Sequence, residues 1–136
     1  MNNWYFVTTK DLGKNPIIRP VPYGEYMDPA IVLAPTIPQC LFGIGELKYT
    51  RVDEEYIKRD APIRAYQLND PRKLSPIPQI RMYDYYFTEE HRIFVPAQFK
   101  FVEIVEEKLV NRVNDILNDY YMVKDQWESV RMCYGE

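Results

Sequence analysis

The last forty residues of this 136-residue chain contain no proline, although eleven prolines lie between Pro16 and Pro96. Proline fixes φ, lacks an N–H donor and breaks helix interiors. Its clustering therefore restricts long helices in the body, and its absence from the tail permits one. Histidine is almost missing too. The single His91 leaves few protein ligands for a zinc site. Only two cysteines, Cys40 and Cys133, are present, too few for the disulfide framework of a stapled secreted scaffold. No apolar run approaches the roughly 20 residues that span a bilayer. The opening Met-Asn-Asn-Trp-Tyr-Phe-Val has neither a basic nor an apolar signal-peptide region. The expectation is a chain that is neither secreted by a signal peptide nor transmembrane, cytoplasmic or in a virion, with both thiols free.

A basic excess is also lacking. Net charge is −3. Residues 1–96 carry twelve basic and twelve acidic side chains, and residues 97–136 carry five and eight. A general polyanion binder needs a basic face, which this balance does not supply.

What the chain has in quantity is aromatic side chains: twelve tyrosines, six phenylalanines and two tryptophans, 15% of the residues. Tyrosine joins a large apolar ring to a hydroxyl that tolerates water, and so suits half-buried contact surfaces. A domain this small does not hide twenty such rings, which points some of them at a partner.

The chain is long enough for one domain over 1–136 with a real core. Trp4–Thr9 reads as a first strand. Residues 16–38 hold six prolines among Ile17, Ile18, Val21, Ile31, Val32 and Leu33. Too apolar for a solvated linker, this segment is expected as an extended arm with Ala30–Ala34 as an edge strand. Cys40–Thr50 reads as strand and turn, Arg51–Asp60 as a short helix, Pro62–Leu68 as a strand and Asn69–Pro78 as a loop. Gln79–Thr88 and His91–Val95 predict an antiparallel hairpin turning at Glu89-Glu90. In the tail, Leu109, Val113, Ile116, Tyr120, Val123, Trp127, Val130 and Tyr134 repeat at alternating spacings of four and three. This predicts one helix over 101–131 with Leu109, Val113, Ile116, Tyr120 and Val123 buried. The fold class is α+β: a small, mostly antiparallel sheet, a proline-rich arm and a long C-terminal helix.

No motif for chemistry stands out. Glu89-Glu90-His91 reads as a polar turn rather than half a metal site. Nothing around Cys40 suggests an electropositive pocket to activate a thiol or to pair it with His91. Gly43-Ile44-Gly45 lacks the third glycine and following helix of a dinucleotide loop. Asp53-Glu54-Glu55 has no EF-hand spacing. No catalytic residue, cofactor or metal is assigned.

The expected function is therefore non-enzymatic: a structural or adaptor subunit working by protein–protein contact, with itself or another chain, in a virion-type or other multi-subunit assembly. The residues expected to meet a partner are Ile17, Ile18, Val21, Tyr23 and Tyr26 of the arm, Tyr83 and Tyr85, and Trp127. One alternative is a single-stranded nucleic-acid or nucleotide module. In a strand, Arg81, Tyr83, Tyr85 and Phe87 would share one face as a stacking platform. Residues 61–96, with five basic and four acidic groups, do not give that platform a basic stripe. The other alternative is a small enzyme whose site is not readable from sequence.

Overall fold

The computed structural model describes residues 3–22, 28–43, 62–71, 74–82 and 85–113, together with 115, 116 and 119. Two compact units divide the chain, Met1–Val105 and Glu106–Glu136.

The described residues of the first unit form seven short strands, β1 (Tyr5–Thr8), β2 (Ile17–Ile18), β3 (Ile31–Leu33), β4 (Arg64–Leu68), β5 (Ile77–Pro78), β6 (His91–Ile93) and β7 (Ala97–Ile104). Two helices accompany them, α1 (Ile37–Gly43) and α2 (Tyr85–Thr88). One sheet runs in the order β1-β4-β7-β2 and the other β3-β6-β5. Every pairing between these strands is antiparallel. The α+β class thus holds.

The two sheets are joined where β1 meets the end of β3. Tyr5 and Ala34 exchange backbone hydrogen bonds, Tyr5 N–H to the Ala34 carbonyl at 2.9 Å and Ala34 N–H to that of Tyr5 at 3.2 Å. β1 therefore has β4 on one side and the end of β3 on the other. The inner faces enclose a core of Trp4, Ile18, Ile31, Leu33, Tyr66, Leu68, Ile93, Ala97 and Phe99. Alternation along β7 explains its part. Ala97 and Phe99 point inward, whereas Gln98 and Lys100 face solvent. Tyr66 meets Phe101 edge-on at 5.7 Å, and Phe6 tilts against Phe99 at 6.2 Å. Such offset pairs add to the area they bury.

Two stretches of segment 16–38 are strands of these sheets. Ile17 and Ile18 pair with Gln98 and Ala97. Ile31, Val32 and Leu33 pair with Ile93, Arg92 and His91 and are buried. β3 is thus the edge strand expected around Ala30–Ala34. The end of the segment differs from expectation: 37–43 is helix, not arm followed by strand. Thr36 caps it, its hydroxyl accepting the Gln39 amide at 3.3 Å and donating to Gln39 Oε1 at 2.9 Å. Thr-x-x-Gln is a capping-box spacing, and Pro38 falls within the first turn, where a missing N–H costs nothing.

Three further expectations change. The expected hairpin of Gln79–Thr88 with His91–Val95, turning at Glu89-Glu90, does not form; β6 pairs instead with Ile77–Pro78, opposite Arg92 and His91. Gln79–Thr88 does not continue that strand, because Tyr85–Thr88 is helical and the Glu89 amide bonds to the Tyr85 carbonyl at 2.9 Å. The expected helix start at 101 is overturned as well, since β7 runs on to Ile104. β4 holds it through a register shift between Ala65 and Tyr66, and Phe101 N–H bonds to the Lys14 carbonyl at 2.8 Å.

In the second unit, helix covers 107–113 and is seen again at 115, 116 and 119. Val110 and Val113 are buried and Leu109 is half-buried, but Ile116 is 47% exposed, against expectation. The predicted helix at 51–60, and Tyr120 onward, lie outside the described residues.

Candidate functional site

The described residues of the connection from β5 to β6 are braced by several hydrogen bonds. Its base is closed by the Gln79 amide donating to the Glu90 carbonyl at 2.9 Å. Within it, Met82 N–H bonds to the Gln79 carbonyl and Tyr85 N–H to that of Met82, at 3.0 and 3.1 Å. Glu89 ends α2 at φ +46°, a left-handed conformation that serves as a helix stop. Gln39 of α1 donates from Nε2 to the Glu89 carboxylate at 2.5 Å, tying the loop to the body.

At the base, buried Glu90 is paired with half-buried Arg92. Arg92 donates from Nε and Nη2 to Glu90 Oε2, at 3.0 and 2.8 Å. His91 sits beside them on the inner face. Its ring lies 4.2 Å from Trp4 and 5.8 Å from Tyr85. His91 Nδ1 is 2.7 Å from the Glu89 carbonyl. A carbonyl can only accept, so Nδ1 carries the proton and fixes the tautomer. Glu89-Glu90-His91 does not make the expected hairpin turn: Glu89 follows α2 and His91 opens β6, its ring packed against Trp4 and Tyr85.

This bracing leaves apolar side chains outward: Ile77 is 52% exposed, Ile80 71% and Tyr86 75%. Sequence reasoning singled out Tyr83 and Tyr85 instead. Tyr83 lies outside the described residues, and Tyr85 is half-buried against His91. A strand would put residues 83, 85 and 87 on one face, and a helical turn removes that shared face, because residues two apart no longer point the same way. The strand needed for an aromatic stacking platform is therefore not formed at Tyr85–Thr88.

The other expected contact residues separate. Ile17 is 61% exposed on β2, and Val21 is exposed with its backbone bonded both ways to Ala30 at 3.0 Å. Ile18 is in the core and is corrected from partner contact to internal packing. Tyr23, Tyr26 and Trp127 lie outside the described residues.

Reactive groups do not converge here. Among the described residues no three His, Cys, Asp or Glu side chains group as metal ligands. Cys40 is fully buried, and its thiol donates to the Tyr5 carbonyl at 3.1 Å. Burial pushes that thiol far above its ordinary range, the opposite of what a nucleophile needs. His91 and Cys40 are committed to different carbonyls. Among the described residues no helix is long and apolar enough to cross a membrane.

No family model, curated protein or solved structure matches this chain.

Proposed function

We propose that this protein is a non-enzymatic structural or adaptor subunit that works by self-association through the β5–β6 connection. The observation that carries the reading is the outward placement of Ile77, Ile80 and Tyr86 on a loop braced by Gln39, Glu90 and His91. An ordered loop loses less conformational entropy on docking than a mobile one. Exposed aliphatic and aromatic groups provide the anchors that protein contacts favour.

The proposed contact differs from the one expected from the sequence alone. Ile18, Ile31, Val32 and Leu33 are covered within their own chain, so the segment 16–38 contributes Ile17 and Val21 at most among its described apolar residues. The long C-terminal helix belongs to the same proposal. Its stripe through Tyr120, Val123 and Trp127 would give an assembly, of virion type or otherwise, a second contact element.

Light-scattering mass over a range of concentrations tests this. A species heavier than the 16.3 kDa chain is expected. It should return to the monomer in an Ile80→Glu/Tyr86→Glu variant that keeps the native circular dichroism spectrum. A monomer at every concentration, or an oligomer indifferent to both substitutions, would overturn the reading. Salt-dependent binding of a single-stranded oligonucleotide would favour the nucleic-acid alternative instead.

A further inference from the structure

The segment entering β5 has a feature that the contact reading does not use. Ser75 is exposed and is followed by Pro76, in Arg72-Lys73-Leu74-Ser75-Pro76. The chain has two serines, Ser75 and Ser129, and Ser75-Pro76 is its only Ser-Pro or Thr-Pro step. Among the described residues the Ser75 side chain has no hydrogen bond. We propose that Ser75 is a phosphorylation site for a proline-directed serine kinase, and that its modification switches off the contact made by Ile77, Ile80 and Tyr86.

Backbone geometry supports the acceptor. A proline biases the residue before it toward extended conformation. Ile77–Pro78 continues extended as a two-residue edge strand, and Ser75, Ile77, Pro78 and Ile80 are all exposed. Leu74, half-buried, packs against the core cluster and anchors the segment from behind. The result is a short, extended, accessible stretch of the kind that fits an active-site cleft. Pro76 also has no N–H that the cleft must satisfy. Ser129, between Glu128 and Val130, has no such neighbour.

In the reaction, Ser75 Oγ bonds to the γ-phosphorus of a nucleoside triphosphate held by the kinase. The bond from that phosphorus to the β,γ-bridging oxygen breaks, the hydroxyl proton passes to the carboxylate base of the kinase, and nucleoside diphosphate leaves. The product carries roughly −1.5 to −2 charges at neutral pH. That charge stands two residues from Ile77. An apolar contact closing over Ile77 would have to desolvate it, which is strongly unfavourable without a cationic partner.

The switch rests on the proposed self-association, whereas the site does not, and the experiment separates them. The full chain is incubated with a proline-directed serine kinase and ATP, digested and mapped by mass spectrometry. Its solution mass is measured by light scattering before and after. One phosphoryl group on Ser75 is expected, lost in Ser75→Ala and in Pro76→Ala, with the oligomer falling to the monomer on modification. No incorporation, incorporation at Ser129 alone, or incorporation unchanged in Ser75→Ala overturns the site. Stoichiometric phosphate on Ser75 with an unchanged oligomer overturns the switch. A chain monomeric before treatment overturns the contact reading and the switch with it, while the mapped residue still decides the site.

Discussion

The Tyr66 hydroxyl accepts a hydrogen bond from the Leu12 backbone amide at 2.8 Å, across fifty-four residues of sequence. The ring is fully buried in the core, so its polar end emerges at a loop that has no strand pairing of its own. Next to it, the Gly13 amide donates to Asp11 Oδ1 at 3.0 Å, and Gly13 takes φ +86°, which a side chain would resist. One core side chain thus positions the turn between β1 and β2.

Tyr66→Phe removes that acceptor while keeping the ring. Leu12 is partly solvated, so water replaces some of the loss, and the expected cost is about 1 kcal/mol. Urea unfolding should show a lower midpoint with an unchanged slope.

Core and periphery should differ sharply between Phe99 and Ile116. Phe99 is fully buried in the cluster, and Phe99→Ala should cost about 3–5 kcal/mol. Ile116, nearly half exposed, should cost about 0.5 kcal/mol or less on conversion to alanine. Equal losses in thermal or urea unfolding would contradict the burial pattern.

Glu89 offers a test of backbone conformation. Glu89→Ala and Glu89→Gly both lose the carboxylate bonded by Gln39, so that loss cancels between them. The glycine variant should be the more stable by about 1 kcal/mol, because the left-handed conformation at φ +46° costs a side-chain-bearing residue about that much. Identical unfolding midpoints would remove the strain from Glu89.

Cys40 should be silent to thiol reagents in the folded protein and reactive once unfolded, measured in a Cys133→Ser background. Its folded pKa lies above the ordinary 9.0 because burial disfavours the thiolate. Stability from this group is fully present below pH 9. Above it the unfolded thiol ionises while the folded one stays protonated, so stability falls by about 1.4 kcal/mol per pH unit. Subtracting the pH profile of Cys40→Ala isolates that slope from other titrating groups.

How much of this was legible in the sequence depended on where each segment found its hydrogen bonds. Tyr5–Thr8, Arg64–Leu68 and His91–Ile93 were readable as strands because their aromatic and β-branched residues suit a half-buried sheet. Phe101–Ile104 was not. Its acidic surroundings suggested a helix start, but β4 and the Lys14 carbonyl claim its backbone. Tyr85–Thr88 failed the other way. It has strand composition, but pairing on the β6 edge stops at Pro78, and Ile80 and Arg81 sit in a turn. The proposed contact shifted with that period, since Tyr85 packs against His91 and Tyr86 is exposed. The helix at 37–43 was within reach, through Thr36-Ile37-Pro38-Gln39, but the density of prolines around it argued for extension.

The strand order β1-β4-β7-β2 carries a consequence for how the chain is made. β7, the longest strand, lies in the middle of its sheet, and β2 is hydrogen-bonded to no other strand there. During synthesis the residues of β1 to β6 are all joined before their central strand exists. Phe6, Ile18, Tyr66 and Leu68 must wait for Ala97, Phe99 and Phe101 to complete their core. A nascent chain stalled before Ala97 would hold these apolar side chains uncovered, making it a natural client for a chaperone rather than a folding intermediate that can stand alone.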